Sequence, residues 1–260
     1  MKTIGFGSIK GGTGKSTVCA LVARGVAASG KNVCVIDLDP NYSISTAFLS
    51  NKIKALDPNG IKNSKNALDG TDDLSNLKDF ILPSNYPRID LLRSTPQLSR
   101  LRPPINLLLK KIEMSNLSET YDYIFIDTSA TYGDLHILAY NACDVICTPV
   151  NPAKFDYQPL KQLGDNISLD TNPNKLSSWR LFFNRCKPNS KFQNEYFDMF
   201  RKKFGNIILE TQVPDTTKVR YCIDAHYLVG NGEEFSKLRQ SILNLAGEIT
   251  GEEIKTEEAF

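Results

Sequence analysis

The chain has 260 residues, 41% of them hydrophobic and 23% charged, with a formal net charge of +2. That is enough sequence for a sizeable core, and no bulk charge that would by itself select a partner. No segment approaches the ~18 consecutive apolar residues of a membrane span, and the chain runs directly into an apolar strand, so neither a membrane anchor nor a secretory leader is expected.

Residues 2 to 9 read as the first strand and 15 to 29 as a helix with Gly30 as its C-cap. Residues 32 to 37 form a second strand, whose unbroken apolar run Val33 to Ile36 suits a parallel sheet covered on both faces. A short helix spans 43 to 49. Residues 51 to 86 mix Asp, Asn, Lys and Gly with helical fragments near 61 to 68 and 74 to 81. They read as a peripheral helical excursion on a single domain of residues 1 to 250. Residues 89 to 92 are a short strand expected beside the first. Pro103 and Pro104 open a helix to about Leu117, with Ile105, Leu108, Leu109 and Ile112 at helical spacing. Residues 121 to 126 are the strongest strand and deliver Asp127 at its end.

A helix over 134 to 142 and a strand over 144 to 149 follow. The helix over 156 to 169 must keep Pro159 in its first turn. After a polar loop at 172 to 178, a strand over 179 to 184 ends at Asn184. A helix over 193 to 203, a short strand over 207 to 209, a helix over 218 to 225 and a last helix over 235 to 249 complete the order, with an acidic tail at 251 to 260. This alternation predicts an α/β fold, a mostly parallel sheet between helical layers. The six cysteines contain no C-x-x-C pair. Four are expected in the core as small hydrophobes, which points to the cytosol and away from zinc or iron–sulfur chemistry.

The chemistry concentrates in Lys10-Gly11-Gly12-Thr13-Gly14-Lys15-Ser16-Thr17. Strand, glycine loop and helix in that order make a phosphate cradle, because glycines leave backbone N–H groups free to point inward and the helix start adds its unpaired donors. The amides from Gly11 to Thr17 and Lys15 hold phosphate, Ser16 offers a hydroxyl to magnesium, and Thr17 sits near the α-phosphate. Asp37 and Asp39 lie at the end of the second strand, where open α/β sheets place their ligands. Asp127 is a magnesium candidate through water, and Asp37 helps order the magnesium shell. Asp39 is the candidate for polarising the attacking water, its alternative being a turn cap. Asn184 can both donate to and accept from an adenine edge, though strand-end asparagines are usually turn residues. Pro214 and Asp215 cover the other side of the base. His136 and His226 are isolated and read as structural. Lys10 is a second lysine flanking the glycines. Supplied across an interface it would complete charge stabilisation in a dimer.

These motifs resemble those of the ParA/MinD family of deviant Walker-motif ATPases, with its P-loop NTPase fold. Lys10 to Thr17 is similar to the family's signature loop. Asp37-Leu38-Asp39-Pro40-Asn41 resembles its second motif, which commonly ends in glutamine. Ile126-Asp127-Thr128-Ser129-Ala130 resembles its third, where two prolines usually replace Ser129 and Ala130. The resemblance covers nearly the whole chain outside 51 to 86. It implies a homodimer sandwiching two ATP molecules with Mg2+. Lys10 then reaches the facing subunit's phosphates, Asp39 supports hydrolysis, and the 127 to 134 loop senses the γ-phosphate.

Within the family the small DNA-partitioning branch is favoured. There the ATP dimer binds DNA without sequence preference, and a centromere-binding, ParB-like partner stimulates hydrolysis, in a cytoplasmic, nucleoid-associated setting. Residues 180 to 220 carry nine basic and four acidic side chains, which makes Lys187, Lys191, Arg201, Lys202, Lys203, Lys218 and Arg220 the DNA-contact candidates. Their plain alternative is a solvated helix surface. A MinD-like or cargo-positioning scaffold is the rival. The acidic tail argues against a MinD-type membrane helix.

Overall fold

The computed structural model describes residues 1–49, 57–69, 75–153, 157–170, 178–188, 190–224 and 233–255. Expectations placed on 51–56, 70–74, Asp156, residues 172–177 of the polar loop, Ala225, His226 and residues 256–260 lie outside them, while Ser178, expected in that loop, opens a strand.

The strands are β1 (Lys2–Phe6), β2 (Val33–Asp37), β3 (Leu82–Pro83), β4 (Ile89–Leu92), β5 (Tyr123–Asp127), β6 (Val145–Val150), β7 (Ser178–Cys186) and β8 (Ile208–Pro214). Among the described residues they form one sheet in the order β3-β4-β2-β5-β1-β6-β7-β8. Every pairing is parallel except the short β3–β4 pair. The helices are α1 (Lys15–Ala28), α2 (Ser43–Phe48), α3 (Ser64–Ala67), α4 (Leu107–Met114), α5 (Asp134–Ala142), α6 (Tyr157–Asp170), α7 (Lys191–Phe204), α8 (Lys218–Asp224) and α9 (Ser236–Thr250).

Alternate strand residues feed opposite cores, as the two-residue period of a strand requires. Val33, Val35, Tyr123, Phe125, Val145 and Cys147 join the core of α1, α8 and α9. Cys34, Ile36, Ile124, Ile126 and Ile146 join the core of α4, α5 and α6. Helix α1 is buried almost all round, because it lies between the sheet and α9. It starts from Gly14 and is capped at Ser29, one residue before the expected Gly30, which takes the left-handed region at φ 87° and ends the helix there.

Several expected boundaries move. The 89–92 strand lies beside β2, not beside the first strand. The fully buried β5, hydrophobic from Tyr123 to Ile126 before Asp127 ends it, takes the central place between β1 and β2 instead, leaving β4, with the half-buried Asp90, nearer the edge. The helix expected from Pro103 begins at Leu107. Ile105 precedes it and is 49% exposed, and Asn116 in the left-handed region (φ 46°) breaks the chain before Leu117. Strand β8 runs on to Pro214. All six cysteines are buried, rather than four. No helix among the described residues is long and apolar enough to cross a membrane.

The close approach of α5 to β1 depends on missing side chains. A Cβ on Gly5 would lie 2.6 Å from Cys143 Sγ, and one on Gly7 would lie 1.8 Å from Tyr140 Oη. Gly7→Ala is therefore expected to destabilise the protein by about 1–3 kcal/mol in urea denaturation, the usual range for overpacking. Adding Tyr140→Phe removes the nearest clashing atom and is expected to recover part of the loss. Full wild-type stability of the single variant would mean that α5 retreats from the sheet without cost.

Candidate functional site

Strands β1, β2 and β5 end side by side, and their C-terminal ends carry the groups that the sequence singled out. In the parallel register Phe6 and Asp37 both stand opposite Asp127, so the phosphate loop leaves β1 next to both carboxylates. The loop narrows at its start. Ser8 Oγ donates to the Lys10 carbonyl at 3.1 Å and accepts from the Lys10 N–H at 3.2 Å. Lys10 is half-buried there. Gly12 and Gly14 take φ of 76° and 88°, which a side chain would strain. Gly11 and Gly12 are exposed, and a Cβ on either would meet nothing within 4 Å. The loop is thus an open cradle of backbone, and α1 begins under it with Lys15, Ser16 and Thr17 in its first turn.

Lys15 points inward. Its Nζ donates to Asp127 Oδ1 at 2.5 Å and to Ser16 Oγ at 3.1 Å, and its side chain is 7% exposed. Asp127 is fully buried, and its Oδ2 has no hydrogen-bond partner among the described residues. Burial pushes the Asp127 carboxyl up, while the Lys15 ammonium opposes the shift. Asp37 is also fully buried. Its Oδ1 accepts from the Asp39 N–H at 2.9 Å, and its Oδ2 accepts from the Ser45 N–H and Oγ at 3.0 and 2.5 Å. Burial first, and the neighbouring Asp127 charge second, push Asp37 up to about 7, against the pull of the Ser45 and Asp39 donors. Asp39 is 6% exposed. Its Oδ1 accepts from the Asn41 N–H at 2.9 Å and its carbonyl from the Tyr42 N–H at 2.8 Å, so it does make a turn cap. It also lies two residues beyond the strand end, beside the carboxylate pair.

A cavity of about 400 Å³ opens next to the loop, lined by Gly14, Thr17, Asn184, Arg185, Pro214 and Asp215, with α8 forming its far wall. The structure thus brings the expected base-contact residues to one place beside the phosphate cradle. Asn184 is less free than its residue type suggests. Its Nδ2 donates to the Thr13 carbonyl at 2.7 Å, its Oδ1 accepts from the Arg185 N–H at 2.9 Å, and it is 5% exposed. It braces the phosphate loop while forming the cavity edge. A larger open groove of about 1510 Å³ lies between β8, α7 and α9, away from the loop.

The DNA-contact candidates do not gather in one place. Lys191 and Lys202 lie 11 residues apart on α7, about three turns and so on one face. Arg201 pairs with Glu210 at 3.0 Å, Lys203 lies 5.8 Å from the Tyr157 ring centroid, and Lys187 stands 3.8 Å from Asp215. Arg220 lines the 400 Å³ cavity on α8. Lys218, on the same helix, lies 5.6 Å from the Phe235 ring centroid.

Sequence reasoning missed the residues that hold the carboxylates. Ser45 bridges Asp37 to the Ser94 N–H at 2.9 Å, and Ser64 Oγ donates to the Asp37 carbonyl at 2.6 Å. Lone serines at these spacings carry no motif, and only the fold brings them to the strand end. His136, expected from the sequence to be an ordinary structural residue, is fully buried.

A glycine cradle over a lysine and two strand-end carboxylates defines a nucleotide-binding P-loop protein. The AAA domain family matches residues 1–176, and the chain belongs to it, as a ParA/MinD-type deviant Walker ATPase. A virulence plasmid ParA family protein of Chlamydia psittaci is 25% identical over 251 residues, covering 96% of this chain and 94% of that protein. The chromosome-partitioning ATPase Soj of Treponema pallidum (strain Nichols) is 27% identical over 221 residues, covering 84% of this chain and 85% of that one. The fold is also that of a Borrelia burgdorferi B31 protein assigned to plasmid partition and solved with AMPPNP. The TM-score is 0.74 at 23% identity, over 96% of this chain and 98% of that one.

The raised Asp37 has a consequence for stability. Its ordinary value is 3.8 and its value in the fold about 7, so between those limits the folded protein holds a proton that the unfolded chain has released. Its contribution to stability is therefore full below that window and lost as pH rises through it. In chelator and without nucleotide, the melting temperature is expected to fall between about pH 4 and pH 7, and Asp37→Asn is expected to flatten that slope. A wild-type profile that is flat or rising across the window would contradict the raised value.

Proposed function

We propose that the chain is a magnesium-dependent ATPase whose ATP-bound homodimer binds DNA without sequence preference. It acts in plasmid or chromosome partitioning, and a ParB-like centromere-binding protein stimulates its hydrolysis. The observation that carries the reading is the buried meeting of Lys15 with Asp127 beneath an open glycine cradle, with Asp37 alongside. The names of the Chlamydia and Treponema relatives support the partitioning branch. On this reading residues 1–250 work as one ATPase unit and 251–260 as a tail.

The residues present fit the groups that this reading requires. The Gly11 and Gly12 backbone has room for phosphate oxygens, and Asp127 Oδ2 is a buried acceptor awaiting a donor. Ser16, Asp37 and Asp127 would hold magnesium, directly or through its waters. Bound magnesium neutralises charge on the phosphate oxygens. Lys15 exchanges Asp127 for phosphate, and Lys10 serves the facing subunit. Asp39 orients the attacking water with the carboxylate oxygen that its turn does not use. Thr17, Asn184, Pro214 and Asp215 border the nucleoside. Lys187, Lys191, Arg201, Lys202, Lys203, Lys218 and Arg220 remain the DNA candidates. Arg220 has a competing place at the nucleoside cavity.

DNA co-sedimentation with ATP, ADP or no nucleotide tests the reading. Binding is expected only with ATP and to weaken at least tenfold between about 50 and 200 mM salt, as phosphate-directed binding does. Lys10→Ala is expected to abolish it and Asp39→Ala to preserve it while hydrolysis stops. An ATP-dependent dimer that never binds DNA would sink the partitioning assignment and leave a protein-cargo or MinD-like scaffold.

A further inference from the structure

The loop after Asp127 connects β5 to α5, and its first residues contact both the strand entering the phosphate loop and the helix behind. Thr128 Oγ1 donates to the Phe6 carbonyl at 3.0 Å. Ser129 Oγ donates to the Thr131 carbonyl at 3.0 Å. Tyr132 Oη donates to Asp170 Oδ2 at 2.8 Å, tying the far end of the loop to α6. The middle of the loop is held from behind. His136 Nε2, in the first turn of α5, lies 3.0 Å from the Ser129 carbonyl.

The His136 ring is fully buried. Its centroid lies 5.3 Å from that of Tyr132 and, edge-on, 5.7 Å from that of Tyr140. A carbonyl only accepts, so Nε2 carries the proton. Nδ1, buried without a partner among the described residues, is the unprotonated nitrogen. Burial, with the Lys15 charge second, lowers this imidazole to about 4, which keeps it neutral and its tautomer fixed. Ser129 and Ala130 have no ring to restrain φ. The side-chain bond supplies the restraint that the local sequence lacks.

The geometry points to His136 as the positioning residue of the nucleotide-sensing loop: its Nε2–H holds the Ser129 carbonyl and so sets residues 128–133 in the arrangement that separates triphosphate from diphosphate. This rests on the ATPase-switch reading above. Held at Ser129, the loop backbone meets the γ-phosphate already ordered. Released, it must be ordered on binding, which weakens the triphosphate complex and leaves the diphosphate complex unchanged.

The test compares the full-length wild type, His136→Phe and His136→Gln. Phenylalanine keeps a ring between Tyr132 and Tyr140 but cannot donate. Glutamine carries an amide N–H at the reach of Nε2. ADP and AMPPNP affinities are measured by calorimetry, and dimerisation by sedimentation velocity, on variants whose melting matches wild type. His136→Phe is expected to bind ADP as wild type does and to lose about fivefold in AMPPNP affinity and in AMPPNP-driven dimerisation, the scale of one hydrogen bond. His136→Gln is expected to recover most of that loss. Equal weakening of both nucleotides, or no weakening, would overturn the inference.

Long-range 15N NMR of the wild type needs no variant. It should show the Nε2–H tautomer and a His136 shift that differs between AMPPNP and ADP. An Nδ1–H tautomer or identical spectra would overturn the inference. Should the wild type itself dimerise equally with either nucleotide, the switch reading fails before any variant is compared.

Discussion

Lys15, Asp37 and Asp127 meet where no side chain is more than 7% exposed. Taking each ion out of water costs several kcal/mol even after relaxation, so such a group persists only with close partners. Lys15 answers Asp127 directly. Asp37 is answered, among the described residues, by hydrogen bonds from Ser45 and Asp39, and it stands next to a like charge. That leaves an excess of negative potential in a buried site. It is why Asp37 is pushed toward neutrality.

The rest of the fold keeps that cluster in register. Parallel pairing places β1, β5 and β2 as neighbours, so the phosphate loop and both carboxylates leave the sheet at one edge. Gly5 and Gly7 let α5 close over β1, bringing the ring cluster of His136 and Tyr140 behind the cluster. On the other face Arg24 of α1 is fully buried. It donates to the carbonyls of Ala47 on α2 and Cys222 on α8 at 3.1 and 3.0 Å, and lies 5.2 and 4.0 Å from the ring centroids of Phe48 and Tyr86. Burial lowers its value to about 10, which leaves it a cation at neutral pH. Carbonyls at two helix C-termini and two ring faces thus lie against the guanidinium. They tie the phosphate-loop helix to the helix after Asp39 and to the wall of the nucleoside cavity.

The least legible stretch of the sequence turns out to be fastened to the same cluster. Asp57 accepts from the Ile61 and Lys62 N–H groups and pairs with Arg93 at 2.5 Å. Ser64 then bonds the Asp37 carbonyl. Residues 57–69 thus grip the ends of β2 and β4 through polar bonds, and only Ala67 and Leu68 among them join the apolar core. Hydrophobic periodicity therefore had little there to reveal.

By itself the sequence determined the alternating α/β order and the phosphate loop. It also placed Asp37, Asp39 and Asp127 at strand ends, because these follow from apolar runs, glycines and local spacing that need no tertiary partner. Helix stops at Gly30 and after Ala142 were legible for the same reason. Only the tertiary structure decided that β5, not the 89–92 strand, sits beside β1, since strand order depends on which strands can be buried on both faces. Only it set Asp37 beside Asp127, turned Asn184 onto Thr13, and brought Ser45, Ser64 and His136 to the site. Those contacts join residues 8 to 171 positions apart along the chain or rest on the course of a loop, and no local pattern encodes them.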